Sequence, residues 1–202
     1  MLASPLPLDS SVLAYLKQDG VLREGHFAFT SGRHALALLD RDRLLANPRA
    51  ASHMGYALAK AFFTEKIDTV ASPSIWGAGL AQWVAYYLEP HASVVYASTS
   101  TTAGGALTLA DNLTPLLENR RVLLIDNVTI SGQTVETFAR IVQERGGTVV
   151  GVGTLWDGAG LSDRSWPVVG LLNLRYPAFA PGACPGCHAP HDAAHAPEPI
   201  PY

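Results

Sequence analysis

The sequence predicts a single α/β domain built on a parallel sheet that helices flank on both faces. Helix-like and strand-like segments alternate along most of the 202-residue chain. Most of the strand-like segments are continuously apolar, which is typical of strands buried on both faces of a parallel sheet. Hydrophobic residues make up 48% of the chain. That share is sufficient for one sizeable core at this length.

The first elements are a helix, a hairpin and a second helix. Residues 9–22 begin with capping residues and then space their apolar side chains helically. Residues 25–40, GHFAFTSGRHALALLD, alternate apolar and polar side chains around TSGRH, which predicts two strands and a turn. Residues 47–63 start with an Asn cap followed by Pro at the first helical position, which predicts a helix.

Strands and helices alternate through the rest of the chain. Strands are predicted within residues 67–73, 92–98, 120–126, 148–157 and 166–176. Helices are predicted within residues 79–88 and 133–147. The polar, Gly-bearing stretch 99–112 indicates a loop or an exposed hairpin. Residues 177–202 are rich in Pro, Ala and His and predict an irregular tail.

Composition excludes several classes of function. The net charge of −3 gives no basic surface for nucleic acid. The chain has two cysteines, Cys184 and Cys187, which form no disulfide framework and favour a cytoplasmic protein. No apolar stretch is long enough to span a membrane, and the N-terminal residues do not resemble a signal peptide. We therefore expect neither a nucleic-acid nor a membrane partner.

The predicted sheet indicates where a ligand would bind. In open parallel sheets, ligands lie beyond the carboxyl ends of the strands. This rule selects three loops, which span residues 72–79, 97–112 and 127–134.

The third of these loops has the features of a phosphate site. In VLLIDNVTISGQT, residues 122–134, a strand ends near Asp126 and a short loop enters a helix. Backbone N–H groups from Ser131 to Thr134 would face outward at the helix N-terminus and bind a phosphate. Gly132 would let the phosphate approach the backbone closely. Asp126 could accept hydrogen bonds from ribose hydroxyls. The alternative is that Thr134 only caps the helix and Asp126 only ends the strand.

VLLIDNVTISGQT resembles the phosphoribosyl-diphosphate motif of type I phosphoribosyltransferases. Other segments are similar to parts of orotate phosphoribosyltransferases in particular: the hood, the diphosphate loop, the mobile catalytic loop, an acidic strand end and a Cys-Pro-x-Cys tail. These segments are, in order, GHFAFTSGRHA, VASPSIWGAGLAQWVA, VVYASTSTTAGGALTLADNL, GTLWD and YPAFAPGACPGC. Their order and spacing agree over roughly residues 8–190.

The resemblance implies a type I phosphoribosyltransferase-like fold, with a parallel sheet of about five strands and a small N-terminal hood. The single domain of residues 1–202 would comprise a hood to about residue 45, a core over about 46–176 and the tail. The implied reaction joins orotate to phosphoribosyl diphosphate with Mg²⁺ and releases diphosphate. A homodimer is also implied, and the aromatic side chains of Trp83, Tyr86 and Tyr87 suit an interface on one helix.

The resemblance also assigns site residues. The ribose would contact Asp126 and Asn127, and the base side would involve Arg33 and Asp157, with Arg41 as a further hood candidate. The 5′-phosphate would be bound by Ile130, Ser131, Gly132, Gln133 and Thr134. The diphosphate loop would comprise Ser74, Ile75, Trp76 and Gly77.

Several of these positions depart from the family pattern. Asn127 replaces the second carboxylate, and Trp76 stands where the resembled family has Gly. Gly158 follows Asp157 where that family has Arg. No Lys or Arg occurs between Ile67 and Asn119, an interval that contains both the diphosphate and the mobile loops. The leaving diphosphate needs cations, so catalysis is in question. Two hypotheses remain: a ribose 5-phosphate-binding protein that has lost catalysis, and an active orotate phosphoribosyltransferase. A transferase that uses another base is a weaker third.

The tail sequence CPGCHAPHDAAH offers candidate zinc ligands in Cys184, Cys187 and His191, with His188 and His195 nearby. One Cys-x-x-Cys is a weak signal for zinc, because structural sites usually bring a second clear pair. The alternative is two reduced thiols in a turn. The sequence therefore predicts no metal site here, with zinc kept as the lesser possibility.

Overall fold

The structure is a computed structural model that describes residues 10–29, 32–99, 106–129, 132–158, 160–161, 165–173, 177–188 and 198–200. Its elements in chain order are α1 (Ser10–Gln18), β1 (Leu22–Phe29), β2 (His34–Leu39), α2 (Arg41–Ala46), α3 (Pro48–Ala61), β3 (Thr69–Ser72), α4 (Ile75–Tyr87), β4 (Ser93–Tyr96), β5 (Ser98–Thr99), β6 (Leu107–Thr108), β7 (Arg121–Thr129), α5 (Gln133–Glu144), β8 (Thr148–Asp157), β9 (Val168–Asn173), β10 (Ala178–Phe179), α6 (Pro185–His188) and β11 (Glu198–Ile200).

The main sheet has five parallel strands in the order β4-β3-β7-β8-β9. Its apolar strands lie between helical layers, as the sequence predicts. One cluster of buried residues packs α3 and α4 against Leu123 and Ile125 of β7. The other packs α5 against Leu124 of the same strand. Burial on both faces is why β7 has an almost unbroken apolar sequence.

Local sequence accounts for the start of helix α3 and for the buried face of helix α5. The side chain of Asn47 accepts hydrogen bonds from the backbone N–H groups of Arg49 and Ala50 and so caps α3, with Pro48 at its start. Helix α5 buries Val135, Phe138, Ala139 and Val142 at helical spacing. Both helices confirm the interpretation of their sequence patterns.

The hood is a four-stranded sheet in the order β10-β2-β1-β11. Strands β1 and β2 form the predicted antiparallel hairpin. The two outer strands come from the tail, so the prediction that residues 177–202 are irregular is wrong for β10, α6 and β11. Strands β10 and β11 have two and three residues, too few to show a strand pattern in the sequence. They form because they pair with β2 and β1, respectively.

Other elements also differ from the sequence prediction. Strand β7 continues past Asp126 to Thr129, because Val128 and Thr129 pair with Trp156 and Asp157 of β8. Helix α2 was not predicted; the Asp40 side chain caps it by accepting from the N–H of Arg43.

The stretch after β4 forms the exposed hairpin β5–β6. Residues 100–105 of its tip lie outside the described residues. Among the residues that the structure describes, no helix has the length and apolar character needed to cross a membrane.

Candidate functional site

The predicted ligand loops meet at one edge of the main sheet. Ser72 at the end of β3 pairs with Tyr96 at the end of β4, and Thr129 at the end of β7 pairs with Asp157 of β8. The loops after β3, β4 and β7 therefore leave the sheet on the same side, where ligands bind in folds of this kind.

Asp126 is an acidic group of this edge with a perturbed pKa. Burial raises the pKa of its carboxyl from 3.8 to about 6. The backbone N–H of Asn127 donates to Asp126 Oδ1 at 2.9 Å, and this bond and the charge of Arg41 both act in the opposite direction. A partly buried carboxylate with an elevated pKa marks a candidate functional position.

Asn127 is 3% exposed, and its side-chain amide is unusual. Neither Nδ2 nor Oδ1 has a hydrogen-bond partner among the residues that the structure describes. Leaving a buried polar group unsatisfied costs about 1–3 kcal/mol, so such groups usually contact a ligand or a bound water. The amide beside Asp126 is therefore suited to a polar ligand at this edge.

The N-terminus of α5 has the geometry of an anion site. Gly132 precedes the helix with a φ of 79°, which favours glycine, and a Cβ there would lie 2.4 Å from Leu161 Cδ2 and would displace that side chain. Gly132, at the N-cap position, has no side chain with which to cap this helix. Gln133 and Thr134 are exposed in its first turn. Ile130 and Ser131, which complete the predicted phosphate loop, lie outside the described residues.

The predicted diphosphate loop forms the tight start of α4. Ser74 caps the helix by accepting from the N–H of Gly77 at 3.0 Å. A Cβ on Gly77 would lie 2.1 Å from Ser72 Oγ and 3.2 Å from the carbonyl oxygen of Ile125. Gly77 therefore allows α4 to approach β3 and β7 next to Asp126, while Ile75, at the first helical position, is 65% exposed.

Trp76 holds a cation at this edge. Its indole is 44% exposed, and the guanidinium carbon of Arg41 lies 5.0 Å from the ring centroid. Arg41 begins α2, which packs against α4, and its charge reaches Asp126. The diphosphate and mobile loops carry no Lys or Arg, so this cation comes from the hood side of the chain. Sequence reasoning named Arg41 only as a base or carboxylate contact.

The two base-side candidates have structural contacts. The Arg33 guanidinium donates to the carbonyl of Ala178 and so joins β2 to the tail. The Asp157 carboxylate is buried and accepts from the N–H groups of Gly160 and Leu161 at 3.0 and 3.1 Å. These bonds hold the loop that packs Leu161 against Gly132.

The tail cysteines lie beside two histidines of the hood. Donor atoms of His26, His34, Cys184 and Cys187 all lie within 4.8 Å of one another. The sequence had offered His191 as the companion of the cysteines; it lies outside the described residues. His26 and His34 were missed because each is separated from the cysteines by about 150 positions, and only the hood sheet brings them together.

Comparison with known proteins places these features in a family. A sequence profile described as "Phosphoribosyl transferase domain" matches residues 40–172. The orotate phosphoribosyltransferase of Thermus thermophilus is 34% identical over 177 residues, which cover 87% of this chain and 94% of the relative. That of Thermotoga maritima is 30% identical over 173 residues, or 85% and 89% of the two chains.

Solved structures show the same fold at lower identity. Orotate phosphoribosyltransferase of Mycobacterium tuberculosis, in complex with inorganic phosphate, superposes with a TM-score of 0.62 at 20% identity, covering 83% of this chain and 96% of the other. Adenine phosphoribosyltransferase of Thermoanaerobacter pseudethanolicus gives 0.63 at 19% identity, covering 80% and 99%. Because enzymes for two different bases match equally well, the fold does not select the base.

Proposed function

This chain belongs to the type I phosphoribosyltransferase family, and from that membership we propose that it binds a ribose 5-phosphate-containing ligand at the carboxyl edge of its main sheet. The observation that carries the proposal is the start of α5. Its glycine turn brings a helix N-terminus to the same edge of the sheet as Asp126 and the amide of Asn127, which has no hydrogen-bond partner among the described residues.

Each part of the ligand has a matching group. The 5′-phosphate accepts hydrogen bonds from backbone N–H groups and the Thr134 hydroxyl, and the positive end of the helix dipole adds to the attraction. Asp126 accepts from ribose hydroxyls. Asn127 gains the hydrogen bonds that it lacks among the described residues.

The scarcity of Lys and Arg side chains near the predicted diphosphate site indicates that phosphoribosyl transfer is slow or absent. Departing diphosphate needs positive partners, and no Lys or Arg occurs between Ile67 and Asn119. Arg41 offers one cation, which the Trp76 ring holds. Charge-assisted hydrogen bonds contribute about 1.5–3 kcal/mol each, so the loss of two or three corresponds to a rate lower by several orders of magnitude.

Mg²⁺ would meet a partial set of ligands. Asp126 offers a carboxylate and Asn127 an amide oxygen, and Mg²⁺ commonly binds one or two carboxylates together with substrate phosphates. These two residues would bind Mg²⁺ only if phosphate oxygens of the substrate supplied further ligands. When bound, Mg²⁺ would neutralise part of the diphosphate charge.

The second candidate function is active orotate phosphoribosyltransferase, which the 34% identity to the Thermus enzyme favours. Incubation of the pure protein with orotate, phosphoribosyl diphosphate and Mg²⁺ separates the two. We expect no orotidine monophosphate above background. Formation at a rate typical of enzymes, on the order of 1 per second or faster, would establish the second function instead.

Calorimetric titration with uridine monophosphate tests the binding proposal. Thr134→Ala should weaken binding about tenfold, because one hydrogen bond to a charged phosphate is lost. Thr137→Ala, one turn further along the same helix, is the matched control and should bind as the unmodified protein does. Equal affinities for all three proteins would contradict a phosphate site at the start of α5.

A further inference from the structure

A cluster of four potential metal ligands lies in the hood, in elements separate from the candidate phosphate site. His26 belongs to β1, His34 begins β2, and Cys184 and Cys187 flank the Pro-Gly turn that starts α6. Cys184 is fully buried, and the other three are partly buried. Nitrogen and thiolate sulfur are the donors that zinc prefers, and two of each form a common structural set.

The four donor atoms lie close enough together to reach one tetrahedral ion with small shifts of their side chains. With zinc about 2.3 Å from sulfur and about 2.0–2.1 Å from nitrogen, the four donors of a tetrahedron lie about 3.3–3.8 Å apart. His26 Nε2 lies 2.9 Å from His34 Nδ1, and Cys187 Sγ lies 3.1 Å from His34 Nδ1 and 3.5 Å from His26 Nε2. Cys184 Sγ completes a set whose members all lie within 4.8 Å of one another.

The backbone is shaped to bring these side chains together. The register of the β1–β2 ladder shifts between Glu24 and Phe27, and His26 lies within this irregular stretch. A Cβ on Gly186 would lie 2.9 Å from the His26 ring and 3.0 Å from Leu36, so only glycine lets the cysteine turn approach the hood this closely. The N–H of Cys187 donates to the carbonyl of Cys184 and closes that turn.

Hydrogen bonding alone accounts for only part of the cluster. It can join the two imidazoles to Cys187, but it gives no reason for a second thiol in the same buried place. Zinc binds cysteine as the thiolate, so a zinc ion bound here would displace the protons of both thiols and give Cys184 and Cys187 a shared partner.

We propose that His26, His34, Cys184 and Cys187 bind one structural zinc ion. The ion attaches the C-terminal segment to the hood and fixes the positions of β10 and α6 beside β2. Because the ligands come from opposite ends of the chain, the cross-link closes a loop of about 150 residues, and closing long loops removes most entropy from the unfolded chain. All four ligands are donated by the protein, which is the pattern of a structural rather than a catalytic site.

The metal content of the purified protein tests the proposal. Protein expressed with zinc in the medium and isolated without chelators should contain one zinc ion per chain by elemental mass spectrometry. Exchange for Co²⁺ should give the thiolate charge-transfer absorption and the visible bands of a tetrahedral centre. A chelator should lower the melting temperature, and added Zn²⁺ should restore it.

Variants identify the ligands. Cys187→Ser and His34→Gln should each lose the stoichiometric zinc. His188→Ala is the matched control: His188 follows Cys187 directly, its Nε2 lies 3.3 Å from the carbonyl oxygen of Gly182, and the variant should keep the metal. If the ligand variants do not fold, the Co²⁺ spectrum of the unmodified protein decides. Protein without zinc, a Cys184–Cys187 disulfide found by mass, or zinc retained after loss of His34 would each overturn the assignment.

Discussion

At the scale of single residues, Asp126 links the candidate site to stability. Its pKa is about 6 in the folded protein against an ordinary 3.8, so the folded state binds the proton more tightly. The free energy of unfolding therefore falls as pH rises from about 4 to about 6, and above pH 6 the full cost of the buried carboxylate is present. A functional carboxylate here is held at the expense of stability.

Asp126→Asn should remove that cost. At pH 8 the variant should be more stable than the unmodified protein by about 2 kcal/mol, after allowance for partial solvent exposure, and at pH 4 the difference should vanish. Urea unfolding at both pH values measures this. A stability difference that does not change with pH would show that Asp126 does not titrate in this window.

Arg41 should be the cation that stabilises ionised Asp126. Arg41→Gln removes the charge that lowers the pKa of Asp126, so that pKa should rise further above its present value of about 6. Arg43→Gln, in the same helix, serves as the control and should leave it unchanged. Carbon-13 NMR titration of the Asp126 carboxyl follows both variants. A pKa that does not respond to Arg41→Gln would place the cation outside the site.

Residues of the site differ in how far the sequence reveals them. Asp126, Asn127 and Gly132 lie in one continuous motif, so local order alone is enough to propose roles for them. Arg41 and the histidine ligands could not, because their neighbours depend on how α2 packs on α4 and how β1 pairs with β2. Contacts of this kind between distant segments leave no periodic signal in a single sequence.

At the scale of elements, the start of α4 packs closely against β3 and β7 because Gly77 has no side chain. Gly77→Ala would place a methyl group 2.1 Å from Ser72 Oγ, so it should destabilise the protein by about 2 kcal/mol. Gly79→Ala is the control in the same helix: its Cβ meets only the flexible end of Leu45 at 3.1 Å. That change should be neutral or stabilising by about 0.5–1 kcal/mol.

A double variant identifies the cause of the Gly77 effect. Ser72→Ala removes the oxygen that the new methyl group would strike, and the carbonyl of Ile125 then becomes the nearest neighbour at 3.2 Å. The double variant should therefore recover part of the loss, which denaturant unfolding measures. No recovery would mean that Gly77 is required for backbone reasons or by the β7 strand instead.

The main elements follow from the sequence because each has its own pattern: apolar runs for the sheet strands, and an Asn-Pro start for α3. The tail strands do not, because β10 and β11 are short and exist through their pairing with the hood. Similarly, β7 extends beyond Asp126 because β8 continues beside it. Where a strand forms only because it pairs with a neighbouring strand, its own sequence does not predict its full length.

At the scale of the whole molecule, segments from the N-terminal and C-terminal parts of the chain meet in the hood sheet. Strand β1 lies between β2 and β11, and β10 pairs with β2. The tail is therefore part of the hood rather than an appendage, and the proposed zinc site lies at this junction. The strands of the main sheet come from consecutive βα units, whereas the hood sheet combines strands from distant parts of the sequence.

An aromatic surface on α3 and α4 suits a second copy of the chain. Tyr86 is 60% exposed and Tyr56 52%, and both rings contact Tyr87 edge-on at 5.3–5.4 Å. Trp83 packs against Tyr86 on the same helix. Exposed aromatic clusters of this kind are enriched in protein interfaces and are costly to leave in water.

We therefore expect a homodimer whose interface includes this aromatic surface. Light scattering at micromolar concentration should give twice the chain mass of 21.5 kDa. Tyr86→Ser should shift the protein toward the monomer, because central aromatic side chains carry much of the binding energy at such interfaces. Phe63→Ser is the matched control, since Phe63 is 68% exposed just beyond the end of α3 and lies outside this cluster. A dimer that survives Tyr86→Ser would place the interface on another surface, and a monomeric unmodified protein would exclude the assembly.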